Sequence, residues 1–135
     1  MHIIVCLDDK NGMMFNRRRQ SSDRILRCRM MDLVGDGVLR MNTYSAQQFS
    51  NEDNILADAD FIDQAADTDY CFVENAKDLP PVSRIHSLTV YRWNCVYPAD
   101  VRIPAAYFEN DMKCICRSDF EGSSHKTITE EIYRR

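Results

Sequence analysis

Apolar residues in this chain form short runs separated by polar turns, and the first run is nearly continuous, as in a strand buried on both faces. The clearest run, His2 to Leu7, ends at Asp8-Asp9-Lys10-Asn11-Gly12, where the Asn-Gly pair indicates a turn. Shorter apolar runs predict strands at Val38–Met41 and Tyr70–Glu74, and an alternating pattern predicts another at Ser87–Trp93. Strands of this kind are typical of a largely parallel sheet covered by helices.

A helical period follows the first turn and predicts a helix that begins near Ser22. Serine is a favoured N-cap, and Asp23 suits the positive end of the helix dipole. The apolar positions then recur at i, i+4, i+7 and i+8, forming one stripe: Leu26, Met30, Leu33 and Val34. Gly35-Asp36-Gly37 is expected to end the helix.

The remaining segments predict shorter elements. A short helix is expected at Thr43–Phe49, capped by Asn42 or Thr43, and one or two helical turns at Phe61–Ala66. Prolines bracket Ala99–Ile103, which can be at most an edge strand. Two tail segments, Lys113–Arg117 and Thr127–Tyr133, favour strand or mixed structure. The order of elements predicts an α/β protein with one central mixed sheet flanked by helices.

Composition fits one globular domain, residues 1–135, since the chain has 135 residues, 44% of them hydrophobic and 28% charged. A net charge of -4 argues against a general nucleic-acid coat protein but leaves room for a local basic site. No apolar run reaches the roughly 20 residues that span a membrane. The chain opens directly on strand-forming residues, without a signal-like segment, so a cytoplasmic location is expected.

Six cysteines could indicate metal binding, disulfides or buried thiols. Without a secretion signal, buried reduced thiols are the favoured interpretation. Cys114 and Cys116 would share one face of a strand, but no pair of cysteines or histidines has zinc-finger spacing. The acidic stretch from Asp58 to Asp69 does not match a calcium-binding loop. We therefore predict no metal site.

Arg17, Arg18 and Arg19 form the first candidate site, directly before the predicted helix. Their fixed cationic forks suit phosphate or carboxylate, and the N–H groups of a helix start also favour anions. The alternative is a solvated loop and helix face, because runs of like charge usually lie at the surface. Both interpretations remain open at this stage.

The second candidate segment is Glu121-Gly122-Ser123-Ser124-His125-Lys126. A serine nucleophile needs a base and an orienting acid arranged in space, which neighbouring positions of Ser124 and His125 do not establish. The alternative is a polar turn, since glycine and serine favour turns. Trp93 is expected to belong to the core. Phosphate-loop, dinucleotide-loop and hydrolase-elbow motifs are absent from the sequence.

Two stretches carry a resemblance to a known family. The opening "IIVCLDDKNGMMFNRRRQSSDRIL" and the later "VLRMNTYSAQQF" resemble the first strand, loop and helix, and the second strand and turn, of dihydrofolate reductases. The resemblance implies a dihydrofolate-reductase-like sheet and puts Asp23 where that family has its substrate-binding carboxylate. Arg18-Arg19-Gln20 stands in place of the family's Leu-Pro-Trp, and its late Gly-Gly turn has no counterpart, Gly122 being the only late glycine.

These observations lead to one main functional hypothesis and two alternatives. The main hypothesis is a protein, catalytic or not, that binds a small anionic ligand such as a nucleotide at the arginine-rich loop. The resemblance implies the first alternative, an NADPH-dependent reductase; RNA binding or processing is the second. The cofactor and the oligomeric state stay open. The candidate catalytic residues are Asp23 and His125, and the candidate ligand-binding residues are Arg17, Arg18, Arg19, Ser22, Ser123 and Ser124.

Overall fold

Seven strands form the central sheet in a computed structural model of the chain, which describes residues 1–50, 54–109 and 111–135. The strands of this sheet are β1 (His2–Leu7), β4 (Leu39–Met41), β5 (Ile55–Ala57), β6 (Tyr70–Phe72), β7 (Ser87–Arg92), β9 (Lys113–Phe120) and β10 (Ile128–Arg134). Their spatial order is β5-β4-β6-β1-β7-β10-β9.

The sheet is mixed, because its first five strands in spatial order are parallel and the last two join antiparallel. β1 lies at the centre and pairs in parallel with β6 and β7. β10 pairs antiparallel with β7 and with β9, so the ambiguous tail is a pair of strands. The predicted class, one central mixed sheet with flanking helices, is confirmed.

A smaller three-stranded sheet lies beside the main one, in the order β3-β2-β8. It comprises β2 (Gly12–Phe15), β3 (Arg18–Arg19) and β8 (Val101–Arg102). Phe15 pairs with Arg18, so Asn16 and Arg17 are the two residues of a tight hairpin turn. Both have positive φ, 52° and 63°, which is the geometry that hairpins with two-residue loops prefer.

The main helix is α1 (Arg24–Val34), and its N-cap is Asp23 rather than Ser22. The carboxylate of Asp23 accepts hydrogen bonds from the backbone N–H groups of Ile25 and Leu26, which the hydroxyl of Ser22 does not reach. Two further helices are single turns, α2 (Thr43–Ala46) and α3 (Phe61–Gln64), with α2 capped by Asn42 as expected. Short 3-10 turns lie at Ala76–Asp78, Val82–Arg84 and Ala105–Phe108.

The apolar side chains divide into two clusters that share β1. Ile3, Val5 and Leu7 belong to one cluster, and Ile4 belongs to the other. Because successive strand residues point to opposite faces, the clusters lie on the two sides of the sheet. The α1 stripe joins the second cluster through Leu26, Met30 and Val34, while Leu33 is only half-buried.

The thiols are all free, but the expectation that they are mostly buried is wrong. Only Cys71 is fully buried; Cys28, Cys114 and Cys116 are exposed. The reason is their position: Cys28 lies on the outer side of α1, and the other two lie on β9, the last strand of the sheet. Within the described ranges, no helix has the length and apolar character that crossing a membrane requires.

Candidate functional site

A cleft of about 510 Å³ lies where the parallel strands β4 and β6 end, next to the small sheet. In open α/β sheets, ligands bind outside the carboxyl ends of the strands. The volume is in the range of small-molecule sites. The lining residues are Met14, Arg17, Asn42, Tyr44, Glu74, Asn75, Lys77, Asp100 and Val101.

Arg19 compensates the carboxylate of Glu74 at the base of this cleft. Its guanidinium donates to both carboxylate oxygens, at 2.8 and 3.2 Å, and lies 4.4 Å from the centre of the Tyr44 ring. Gln48 donates to the same carboxylate at 3.2 Å. Burial would lower the pKa of Arg19, but the hydrogen bonds and charge of Glu74 raise it. Arg19 is therefore committed to a structural pair.

Arg17 and Lys77 bring uncommitted positive charge to the cleft. Both are exposed, and neither side chain has an ion pair or hydrogen bond to another residue that the structure describes. Asp100 accepts a hydrogen bond from the backbone N–H of Asn16 at 3.0 Å and so holds the turn that carries Arg17. With Glu74 compensated, these two cations face one uncompensated carboxylate, Asp100.

The protein's own side chains occupy backbone N–H groups around the cleft. Asn42 accepts from the N–H of Ser45 at 2.8 Å, and Asn75 accepts from the N–H of Lys77 at 3.1 Å. A ligand phosphate in the cleft would therefore meet side-chain cations rather than these amides.

The three consecutive arginines do not converge on one point. Arg17 lines the first cleft, whereas Arg18 lines a separate cleft of about 290 Å³ with Phe15, Tyr97 and Pro98. The hairpin explains the divergence, because Arg17 occupies its turn and Arg18 begins the returning strand. Arg19 also borders this second cleft, but its guanidinium is directed to Glu74.

Asp23 is the centre of a second cluster, which joins the start of α1 to the loop between β9 and β10. Besides its two helix contacts, its carboxylate accepts from the backbone N–H groups of Ser123 and Ser124, at 3.0 and 2.9 Å. His125 Nδ1 lies 2.9 Å from the second carboxylate oxygen. Burial alone would raise the pKa of Asp23, but the hydrogen bonds from Ser124, His125 and Ser123 lower it far below its ordinary value of 3.8.

Gly122 allows this close approach of loop and helix. A Cβ atom at Gly122 would lie 2.9 Å from Asp23 Cγ, closer than real Cβ contacts. The side chain of Ser123 completes the arrangement by accepting from the N–H of Arg24 at 3.1 Å. The N–H groups of Arg24, Ile25 and Leu26 thus all donate within the protein, so these three groups are not free to bind an anion.

Contacts to one face of the ring and to both ring nitrogens hold His125 in place. Its ring stacks on Trp93, with centroids 4.5 Å apart, and Trp93 is buried as expected. Its Nε2 lies 2.8 Å from Ser21 Oγ and 3.5 Å from the Tyr97 hydroxyl. Ser124 Oγ reaches Asp23 at 3.2 Å and the carbonyl of Ser22 at 3.2 Å.

The structure thus joins five of the predicted site residues in one cluster: Asp23, His125, Ser22, Ser123 and Ser124. Arg17, Arg18 and Arg19 have no hydrogen bond or ion pair to this cluster in the described part of the chain. The cleft residues Glu74, Asn75 and Lys77 are new. Their position at the end of the predicted strand at Tyr70–Glu74, or directly after it, is the signal that could have identified them.

Ser21 and Tyr97 are the other residues that the sequence did not identify. Ser21 is adjacent to Ser22 but is brought to His125 only by the folding of distant segments. No group of three or more histidine, cysteine, aspartate or glutamate side chains in the described ranges is arranged to hold a metal ion.

No protein-family model and no curated protein matches this sequence. Among solved structures, the chain is similar to dihydrofolate reductase from Enterococcus faecalis, complexed with NADP(H) and RAB-propyl. The TM-score is 0.69 at 10% sequence identity, and the match covers 99% of this chain and 95% of that chain. The likeness extends over the whole sheet rather than the first two elements alone. The chain therefore has a dihydrofolate reductase-like fold.

Proposed function

We propose that the chain binds a small phosphate-bearing ligand, such as a nucleotide, in the cleft between β4, β6 and the small sheet. The observation that carries this proposal is the pair of uncommitted cations, Arg17 and Lys77, in a cleft of about 510 Å³. Phosphate oxygens form charge-assisted hydrogen bonds with such groups. The position at the carboxyl ends of parallel strands supports the same conclusion.

Arg17 adds a second line of support through its backbone. Its φ of 63° is unfavourable for a residue with a side chain, and an Asn-Gly turn would avoid that strain. Strained residues that a fold tolerates are concentrated at functional sites. The proposal explains why an arginine occupies this strained position: its charge is needed at the mouth of the cleft.

An NADPH-dependent reductase is the second candidate, and the solved reductase complexed with NADP(H) favours it. Glu74 and Asn75 weigh against dinucleotide binding of the usual kind. They directly follow β6, where a pyrophosphate would meet a carboxylate and an occupied N–H group. A ligand whose phosphates are bound by side-chain cations rather than by backbone N–H groups fits these residues better.

Calorimetric titration with inorganic pyrophosphate, ADP and NADPH tests both candidates. We expect ADP to bind, and Arg17→Ala and Lys77→Ala each to weaken binding tenfold or more, since a charge-assisted hydrogen bond contributes about 1.5–3 kcal/mol. Arg18→Ala is the matched comparison: it removes the same charge from the adjacent position but faces the other cleft.

Each outcome of the titration supports or overturns at least one of the two candidate functions. Equal losses of ADP affinity in the Arg17 and Arg18 variants would show that the ligand is attracted by the overall charge of the loop. That result would overturn the cleft as the binding site. Tight NADPH binding together with oxidation of NADPH by a pteridine substrate would favour the reductase. No binding of any probe to the folded protein would overturn both candidates.

A further inference from the structure

Ser21, His125 and Asp23 form a hydrogen-bonded line of three residues. None of them lines the cleft of the proposed function. Ser21 Oγ lies 2.8 Å from His125 Nε2, and His125 Nδ1 lies 2.9 Å from Asp23 Oδ2. A nucleophile in contact with a base, and the base in contact with an orienting acid, is the arrangement that activates serine in unrelated hydrolases. The three residues come from two distant segments of the chain, so only the fold assembles them.

The hydrogen-bond chemistry gives each group its role. Asp23 is ionised at neutral pH, since backbone and side-chain donors surround its carboxylate, and an ionised carboxylate only accepts. His125 Nδ1 is therefore the donor. A neutral imidazole then presents Nε2 as an acceptor towards the hydroxyl of Ser21, as a general base requires.

The surroundings hold this geometry in place. The side chain of His125 is 11% exposed and that of Asp23 is 0% exposed, and the histidine ring stacks on Trp93. Ser21 itself is half-buried and so remains accessible. In the described ranges, the backbone N–H groups of Ser21 and Ser22 donate to no protein acceptor, which leaves them free for a developing oxyanion.

A cleft of about 290 Å³ adjoins the line of three residues. Its lining is partly polar and partly apolar: Gln20, which precedes Ser21, lines it together with Asn16, Arg18, Arg19, Phe15, Tyr97 and Pro98. Tyr97 lines this cleft and places its hydroxyl 3.5 Å from His125 Nε2, so the cleft lies next to the reacting side of the histidine. Its volume fits a short acyl group, and Phe15, Tyr97 and Pro98 make part of its lining apolar.

We propose that Ser21 is a nucleophile that His125 activates and Asp23 positions, and that it takes short acyl groups from small esters. The proton of Ser21 Oγ passes to His125 Nε2 as the Oγ–C bond forms. The bond from carbon to the leaving oxygen then breaks, and that oxygen takes the proton from His125. Water cleaves the acyl-serine by the same route, releasing the carboxylic acid and restoring Ser21.

Hydrolysis of p-nitrophenyl acetate by the full chain, with mass mapping of a fluorophosphonate adduct, tests this proposal. We expect the probe on Ser21, and we expect Ser21→Ala to lower hydrolysis at least about 100-fold and to abolish labelling, in line with the usual contribution of a general base. Ser83→Ala is the control, because Ser83 is exposed on a separate turn. It should change neither readout.

The His125→Gln variant distinguishes a serine that histidine activates from a serine that is only accessible to the probe. It should suppress labelling of Ser21 although the hydroxyl remains, and circular dichroism shows whether the variant is folded. If this variant does not fold, the comparison of Ser21→Ala with Ser83→Ala still tests whether Ser21 is the nucleophile. A folded wild-type protein without label on Ser21, or a folded His125→Gln variant labelled at the wild-type rate, would overturn the proposal. Neither result affects phosphate binding in the other cleft.

Discussion

Arg17 combines a favourable charge with an unfavourable backbone conformation. A left-handed conformation costs a residue with a side chain about 1–2 kcal/mol, and glycine avoids most of this cost. We expect Arg17→Gly to raise the melting temperature by a few degrees while weakening ADP binding at least tenfold. Thermal unfolding and calorimetry measure the two effects on the same sample.

Arg18→Gly is the matched control for that prediction. Arg18 begins β3 and is not among the residues with positive φ, so glycine relieves no strain there and adds flexibility to the unfolded chain. The melting temperature should stay constant or fall. A rise of the same size in both variants would show that the turn conformation is not the cause.

Asp23 makes the stability of the fold decrease at low pH. Its pKa is lower in the folded protein than its ordinary value of 3.8. Its contribution to stability is therefore fully present above about pH 4 and is lost as the pH falls from there towards the folded value. Urea unfolding at pH 7, 5, 4 and 3 should show the free energy of unfolding decreasing mainly in the last two steps.

Asp23→Asn tests whether this carboxylate carries the effect. The amide cannot accept from all the donors that surround Asp23, so we expect a loss of about 2–3 kcal/mol at pH 7 and a smaller loss at pH 3. Asp36→Asn changes an exposed carboxyl at the other end of the helix and is the control. An undiminished acid response in Asp23→Asn would contradict the assignment.

At the scale of elements, the small sheet is tied to the central sheet by Arg19 on β3 and Glu74 after β6. The side chain of Glu74 is only 7% exposed. Removing one partner of such a pair leaves an uncompensated buried charge and costs about 3–5 kcal/mol. We expect Arg19→Ala to lose this much, whereas Arg19→Ala combined with Glu74→Gln should recover part of it.

Urea unfolding of the two single variants and the double variant gives the coupling free energy of the pair. Glu74→Gln retains a polar side chain that Gln48 can still contact, so its own loss should be smaller than that of Arg19→Ala. Strictly additive losses would show that the two elements are not coupled through these side chains.

The local patterns predicted which elements are present better than they predicted where each element begins and ends. The run at His2–Leu7 and the helical stripe from Leu26 to Val34 carry periodicities that packing reinforces, and both elements are present. The tail was ambiguous, because β10 places Ile128 and Ile132 four residues apart, as in a helix, although its first four residues are buried between neighbouring strands. Ser22 and Asp23 are both good caps, and only the loop contacts of Asp23 distinguish them.

The candidate site could be predicted only in part, for a physical reason. Asp23 and His125 were selected by residue type, and they do meet, at 2.9 Å. The separation of Arg17 from Arg18 depends on a hairpin turn, and the role of Lys77 depends on which strand ends lie side by side. Both are consequences of long-range pairing, which no local pattern contains.

At the scale of the whole molecule, the distribution of the thiols predicts their reactivity. Burial raises the pKa of Cys71 to about 11 and that of Cys6 well above its ordinary value, so neither forms thiolate readily. Cys28, Cys114 and Cys116 are exposed. Ellman's reagent should modify these three in the native protein first, with Cys6 and Cys71 reacting only after denaturation.

Peptide mapping after brief alkylation identifies the modified positions. The two thiols of β9 are separated by Ile115, which is 58% exposed at the edge of the sheet. If Cys71 were labelled as fast as Cys114 in the native state, the central strands would have to open on the time scale of the reaction, and their burial would not describe the protein in solution.

The arrangement of the two apolar clusters predicts that the chain unfolds as one unit. β1 supplies Ile3 and Val5 to one cluster and Ile4 to the other, so neither cluster can separate without exposing the strand that completes its neighbour. Trp93 is the only tryptophan and lies in the second cluster, whereas far-ultraviolet circular dichroism reports on the whole sheet. Urea transitions followed by tryptophan fluorescence and by circular dichroism should therefore coincide. A fluorescence transition at clearly lower urea would mean that the α1 side unfolds first, and the chain would then contain two units rather than one.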